Sequence, residues 1–323
     1  DLDLLFSFSP LHLFSVLLRR VKLSKPMGGP MSDQMILKIV ICILVFAAVP
    51  VSAGEPIHVL VGNDDGIESP GLEAIAAIIA ADPAYRVTVV APKHQQSVSG
   101  HGLVTRREIE VIERDAIAGS PAWAVDATPA TVARIALTAL LVDDPPDLIV
   151  SGINRGENDG LGVWTSGTVA VAREGALAGI PAVAVSLQLN WDDPQPNFEV
   201  AAKWAKPVID AVRDEGLPAD VYLNVNVPRD PAAIRGYRVV QMGLDRSEEA
   251  RYVLSRADSD GSRWYTSWWR PPKDTEPGRD SHVLDAGWVT IVPLGLDATA
   301  DVAFPMLQQQ ELPPPASTGE EHA

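Results

Sequence analysis

The chain has 323 residues, 26 Lys and Arg against 42 Asp and Glu, a formal charge of −16 at pH 7 and one cysteine. That length suits one large α/β domain or a domain with an appendage, and a lone Cys42 excludes an internal disulfide framework. The acidic balance lacks the electrostatic footprint of a duplex nucleic-acid binder, and it calls for metal ions or local Arg and Lys to hold an anionic substrate.

Residues 1–53 read as upstream sequence followed by a signal peptide. From Met31 a short basic start ends at Lys38, an apolar run extends from Ile39 to Ala48, and Val51-Ser52-Ala53 has the small-x-small form, with a cut expected before Gly54. The run falls short of the roughly 20 residues of a bilayer span. No stable membrane span is therefore expected after cleavage, and the expected location is periplasmic or secreted. The first 53 residues carry five Lys or Arg and three Asp or Glu, so the remainder stands at −18.

The first strand is expected at His58-Val59-Leu60-Val61-Gly62, a short apolar run that stops at Asn63-Asp64-Asp65-Gly66. Ser69 then caps a helix that begins at Pro70 and runs to about Ala81. Arg86 to Ala91 is the second strand, closed by Pro92, so the chain opens as a βαβ unit with a parallel sheet. A polar loop from Lys93 to Thr105 contains Ser97, Ser99 and His101. Glu108 to Ile112 and Pro121 to Val125 are short strands, and Thr128-Pro129 caps a helix to about Leu141.

Asp147 to Ser151 is a buried strand running into a loop rich in Gly and Asn, from Gly152 to Gly160. Thr165 to Thr168 opens a helix that continues to Ala178, with Gly179 just past its end and a strand from Pro181 to Ser186. Asn197 to Arg213 is an amphipathic helix that Pro207 is expected to kink. Beyond Asp220 the texture turns β-rich. Val221 to Val227, residues 236–243 and 263–270, and Trp288 to Leu294 read as extended, and Trp264, Trp268 and Trp269 cluster. A tail over 308–323 reads as disordered. The fold class is α/β, a Rossmann-like three-layer core with a mostly parallel sheet (about 54–219) and a β-rich C-terminal extension (about 220–307).

Three strand ends present polar groups toward one edge of such a sheet: Asp64 with Asp65, the loop with Ser97, and the loop with Asn154. Carboxylate, hydroxyl and amide oxygens are hard ligands, suited to Mg²⁺, Mn²⁺ or Ca²⁺ rather than zinc. The helix beginning at Ser166 aims N–H groups and a positive dipole end at the same edge, which suits phosphate. Singly, each feature has a plainer reading as a turn, a solvated loop serine, a loop amide or a helix cap. Together, a metal and an anion-binding helix start point to phosphoryl chemistry.

The combination resembles a known family. Val61 to Ile67 with Ser69-Pro70-Gly71-Leu72 is similar to the first signature of the SurE survival-protein nucleotidases. Val89 to Pro92 followed by Ser97 to His101 resembles the second. Ser151 to Asn158 with Ser166 to Val169, Glu174-Gly175 and Gly179 to Ala182 resembles the third. Asn224 to Pro228 and Gly287 to Leu294 resemble later landmarks, so the likeness spans most of residues 57–297.

The resemblance implies a divalent-metal-dependent phosphomonoesterase, a 5′-nucleotidase and acid phosphatase acting on nucleoside monophosphates, with Mg²⁺ or Mn²⁺ as cofactor. It implies Asp64, Asp65, Ser97 and Asn154 as metal ligands, and Asn158, Ser166, Gly167 and Thr168 around the phosphate. It implies Asp297 as a catalytic partner of Asp64 and Asp65, and a homodimer or homotetramer paired through the extension. Either aspartate of the pair could orient a water or attack phosphorus directly.

The chain also departs from the family pattern. Thr165 stands where Tyr is frequent, Ala130 and Thr131 follow Pro129 where an Asp is usual, and Asp301 stands where a His is expected. That last difference motivates an alternative, a phosphate- or nucleotide-binding protein with weak or lost catalysis, and it makes His101 a substitute proton donor. A dinucleotide-dependent oxidoreductase is disfavoured, because no G-x-G-x-x-G follows the first strand.

Overall fold

A computed structural model describes residues 55–189, 196–244, 249–270, 276–300 and 302–308. Expectations for residues 1–53, Asp301 and the tail from 309 lie outside these residues, as does the Trp269 side chain. Among the described residues no helix is long and apolar enough to cross a membrane.

Strand β1 (Ile57–Gly62) carries an almost unbroken apolar run because both faces of the sheet are covered. Val59 and Val61 face one core cluster and Leu60 the other, as the period of two demands. Helix α1 (Pro70–Ala80) follows, with Ser69 Oγ accepting the Leu72 N–H at 3.3 Å and Pro70 at the first helical position. Strand β2 (Tyr85–Pro92) pairs in parallel with β1. Strands β3 (Val111–Ile117) and β4 (Ser120–Val125) form a hairpin around Ala118 and Gly119, both at positive φ. This two-residue turn sets the register and moves β3 three residues later than the sequence pattern places it.

Helix α2 (Pro129–Ile135) continues as a π-helical turn over Ala136–Leu140. Thr128 precedes it without capping it; its hydroxyl donates to the Gly102 carbonyl at 2.5 Å. Strand β5 (Leu148–Arg155) runs four residues further than expected, through a cis Gly152–Ile153 peptide and a register shift before Asn154. Helix α3 (Gly167–Leu177), strand β6 (Ala182–Leu187), helix α4 (Phe198–Glu215) and strand β7 (Val221–Val227) match their expected places, with Pro207 inside α4.

The β-rich stretch then divides. Strands β8 (Tyr237–Val239) and β11 (Val289–Gly295) join β7 in the main sheet, while β9 (Glu249–Ala257) and β10 (Arg263–Arg270) form a separate antiparallel pair. A one-and-a-half-turn helix α5 (Asp280–Asp285) and a short helix α6 (Phe304–Gln308) complete the described chain.

The nine-stranded sheet has the order β3-β4-β2-β1-β5-β6-β7-β11-β8. Strands β4, β2, β1, β5, β6 and β7 are parallel neighbours, and β3 and β11 run against them. Helices α1 and α4 pack on one face through Leu72, Ile75, Ile79, Ala205 and Ile209. Helices α2 and α3 cover the other through Val132, Ala133, Val169, Val171 and Ala172. The chain leaves β1 toward β2 and later returns to β5 on its other side. The gap between the ends of β1 and β5 is therefore a topological switch point, where open α/β sheets bind ligands.

Candidate active site at the carboxyl edge of the sheet

The turn after β1 is built by Asn63, which is fully buried. Its amide donates to the Gly66 carbonyl at 3.0 Å and to Ser69 Oγ at 2.7 Å, and its Oδ1 accepts the Gly66 N–H at 3.3 Å. Gly66 sits at φ +103°, a conformation that costs other residues a clash with their own Cβ. The turn thus presents Asp64 and Asp65 side by side at the strand end.

Each carboxylate takes a donor from a different neighbour. The Thr168 hydroxyl, in the first turn of α3, donates to Asp64 Oδ1. The Arg155 backbone N–H, at the end of β5, donates to Asp65 Oδ2 at 2.9 Å. The loop after β2 is tied to the same point, since the Gln96 N–H donates to the Asp64 carbonyl at 2.7 Å. Burial pushes the Asp64 carboxyl up to about 6, the Thr168 hydroxyl works against that, and the Asp65 charge adds to it. Burial also raises Asp65, opposed by the Arg155 N–H and charge. Two adjacent acids thus sit side by side, both made harder to ionise chiefly by burial.

Helix α3 begins beside them. Ser166 Oγ accepts the Val169 N–H at 3.0 Å, and the Gly167 N–H has no partner among the described residues. Gly167 is packed so tightly that a Cβ there would lie 2.7 Å from Asp64 Cβ and 2.8 Å from Pro129 Cγ. The phosphate-suited helix start and the carboxylate pair are therefore in direct contact.

Ser97 and Asn154 lie on the same edge. Ser97 is exposed and its Oγ accepts from Gln95 Nε2 at 3.1 Å. Asn154 uses its Nδ2 on the Gly156 carbonyl at 2.7 Å, which leaves its amide oxygen as an unspent acceptor. Among the described residues no three His, Cys, Asp or Glu side chains converge as a metal set. Two carboxylates can still be completed by neutral oxygen donors, and hydroxyl and amide oxygen are what this edge offers. Such an all-oxygen set fits Mg²⁺ or Mn²⁺.

Asn158, expected near the phosphate, is turned down into the sheet. Its Nδ2 donates to Ser186 Oγ at 2.9 Å and its N–H to Asn226 Oδ1 at 2.8 Å, while its carbonyl accepts from Asn224 at 2.6 Å and Asn226 at 3.2 Å. It anchors the loop over 156–165 from below. Asp297 is not brought to the site. Strand β11 runs antiparallel to β7 and carries the chain to the opposite edge, where the Leu296 N–H meets the Asp220 carbonyl at 3.0 Å. There Asp297 is exposed and caps the Thr299 N–H at 2.8 Å.

His101 is not a free proton donor. Its Nε2 lies 2.6 Å from Glu174 Oε1 and its Nδ1 lies 3.4 Å from Arg173 Nη1. An arginine can only donate, so an Nδ1 that accepts from Arg173 leaves Nε2 to donate to Glu174. Burial pushes the Glu174 carboxyl up, and its bonds to His101 and Arg134 outweigh that and hold it below its ordinary value. The group pins the Ser97 loop to the outer side of α3. The sequence reading missed the Arg155 N–H and the Thr168–Asp64 bond. Both join residues about 90 or more positions apart, and no local pattern announces them.

A second acidic group lies behind the loop. Asp280 is fully buried and accepts the Gly243 N–H at 2.7 Å and the Gly160 N–H at 2.9 Å. Burial pushes neighbouring Asp159 up to about 7, opposed by the Ser281 hydroxyl and reinforced by Asp280, Glu157 and Asp285. A raised carboxyl contributes stability that is full below its ordinary value near 4 and is lost as pH rises through 7. Asp159→Asn is expected to raise the urea midpoint at pH 8, by at most about 4 kcal/mol of unfolding free energy, and to leave it unchanged at pH 4. Paired denaturation curves at the two pH values measure the difference.

The sequence model described as Survival protein SurE matches residues 59–249. The chain belongs to the SurE family. It is 39% identical over 244 residues to the 5′-nucleotidase SurE of Methylococcus capsulatus, covering 75% of this chain and 92% of that protein. It is also 39% identical to 5′-nucleotidase SurE 1 of Thermus thermophilus, over 75% and 93% of the two chains. The crystal structure of the SurE protein from Aquifex aeolicus superposes with a TM-score of 0.66 at 32% identity, covering 78% of this chain and 98% of that one. The α/β fold and the SurE assignment read from the motifs agree with these matches. The matched span holds every expected site residue except Asp297.

Proposed function

We propose that this SurE-family protein is a divalent-metal-dependent phosphomonoesterase, a 5′-nucleotidase that hydrolyses nucleoside monophosphates to nucleoside and phosphate. The observation that carries this reading is the Thr168 hydroxyl bond to Asp64, which joins the first turn of α3 to the carboxylate pair. The names of the relatives, 5′-nucleotidase SurE, support it.

Asp64, Asp65, Ser97 and Asn154 would hold the ion, with Mg²⁺ or Mn²⁺ favoured by their oxygen donors. A bound ion supplies Lewis-acid polarisation of the phosphoryl oxygens and a more acidic water. The chain's own residues do the rest. The Gly167 N–H and the positive end of α3 receive the phosphate oxygens and stabilise charge that builds on them. Ser166 holds the first turn in shape, and Thr168 fixes the orientation of Asp64. Asp65, aligned by the Arg155 N–H, is placed to accept a proton from an attacking water. Asn158 positions the loop above the phosphate.

The β9–β10 hairpin exposes Tyr252, Leu254, Trp264 and Tyr265, and supports a homo-oligomer joined through it. The segment Met31 to Ala53 supports export to the periplasm or beyond.

Phosphate release from a panel of nucleoside monophosphates, with chelator and then with added Mg²⁺ or Mn²⁺, tests the reading. Turnover is expected to vanish with chelator and to return with the ion. Equal turnover in chelator would remove the metal from the reaction.

A further inference from the structure

Ser97 sits on a stretch that does little to hold itself in place. On its amino side the Gln96 N–H donates to the Asp64 carbonyl at 2.7 Å. On its carboxyl side the Gly100 N–H donates to the Thr165 carbonyl at 2.9 Å, and His101 follows. Among the described residues, Ser97, Val98 and Ser99 make no hydrogen bond to any residue outside the loop. Val98 lies at φ +62°, a left-handed conformation that a β-branched residue avoids, and its side chain is 77% exposed. Strained backbone of this kind persists only where the surrounding structure over-determines it. The shape of the stretch is therefore set by its two anchors.

The anchor on the carboxyl side ends on a buried charge. His101 Nε2 lies 2.6 Å from Oε1 of Glu174, a buried carboxylate of α3. Arg134 of α2 grips the same carboxylate, with Nη2 donating to Oε1 at 2.8 Å and Nε to Oε2 at 2.9 Å. A hydrogen bond to a charged acceptor is stronger than a neutral one, and the two-pronged guanidinium fixes the carboxylate in turn. Glu174 stands two turns along the helix whose first turn carries Gly167 and the Thr168 bond to Asp64. His101 thus ties the Ser97 loop to the rigid element that also holds Asp64.

We infer that His101 is a positioning residue for the divalent ion: through its bond to Glu174 it keeps the Ser97 hydroxyl beside the carboxylate pair. This rests on the phosphatase reading above, in which Ser97 is one of four oxygen donors. A neutral hydroxyl is a weak ligand, and ordering a loose loop at the moment of binding would consume what it contributes. Residues that orient a metal ligand from behind are worth about 10–100-fold in metal affinity. His101 acts from four residues away, which places it at the lower end of that range.

Mn²⁺ binding to the full chain, read from the electron paramagnetic resonance of free Mn²⁺, tests this without turnover. His101→Ala is expected to bind Mn²⁺ about tenfold more weakly than wild type. The amide nitrogen of His101→Gln reaches the place of Nε2, and this variant is expected to stay within about threefold of wild type. That of His101→Asn stops at the place of Nδ1, and this variant is expected to match alanine. In a Ser97→Ala background His101→Ala is expected to cost nothing more, because its effect runs through Ser97. Circular dichroism checks the fold of each variant, and the glutamine and asparagine pair carries the test if alanine does not fold. Unchanged affinity in His101→Ala, equal losses in the glutamine and asparagine variants, or a full loss that persists in Ser97→Ala would each overturn the inference. All three outcomes leave the phosphatase reading standing. A wild-type protein that takes up no Mn²⁺ would overturn the metal-dependent reading and the inference with it.

Discussion

Asp65→Asn is expected to lower phosphate release from nucleoside monophosphates by about a thousandfold or more while leaving the fold intact. The change keeps the shape of the side chain and its ability to accept the Arg155 N–H, so little structural cost arises at this partly exposed position. What disappears is the charge. Removing one of two carboxylates weakens the hold on a divalent ion, and removes the group placed to take a proton from water. Metal and proton effects are each worth several kcal/mol, and about 1.4 kcal/mol is tenfold in rate. Single-turnover phosphate release at saturating Mn²⁺ measures the loss, with circular dichroism as the check on folding. Turnover within about threefold of wild type would remove Asp65 from the chemistry.

Gly167→Ala, the addition of one methyl group, is expected to damage both stability and activity. The new carbon would meet Asp64 Cβ at 2.7 Å, Pro129 Cγ at 2.8 Å and Asp64 Oδ2 at 2.9 Å. None of these can swing aside. Proline is a ring, and Asp64 is buried and held by Thr168. Overpacking of this kind costs about 1–3 kcal/mol. Relief requires α3 to move away from the turn, and displacing catalytic groups by about 1 Å costs on the order of a hundredfold in rate. The denaturation midpoint and kcat are both expected to fall. A fully active, fully stable Gly167→Ala protein would mean that α3 and the turn are not in contact in solution.

Much of this site is legible in the chain because it is local. A strand that ends in two acids, a serine before a proline, and a serine three residues before the N–H it caps each follow from neighbours in sequence. The family likeness then joins them. What escaped is non-local or faceless. Strand β9 was missed because its side chains between Arg251 and Arg256 are exposed on both faces, so no apolar alternation marks it. The extension of β5 through Gly152 to Arg155 looks like a loop by composition, yet the edge of β6 holds it. Gly71 reads as an ordinary residue of a helix start. It is glycine because a Cβ there would lie 2.1 Å from the Ile153 carbonyl oxygen, on a strand that arrives some 80 residues later. Asn158 looks like a phosphate ligand until Asn224 and Asn226 come up beneath it. Asp297 looks catalytic until the direction of β11 is known.

The bond between Thr168 and Asp64 also divides the site into what is stiff and what is free. The seat for the anion is the end of a helix, and the carboxylates are the end of a central strand. One hydroxyl locks the two directly, and the loop over 93–105 braces the same turn through the Gln96 N–H on the Asp64 carbonyl. The loop over 156–165 borders the opening, and among the described residues neither Asp64 nor Asp65 bonds to it. Exchanging its outer residues should alter which molecules get in and how fast they leave, while the spacing between the phosphate seat and the acids stays as it is.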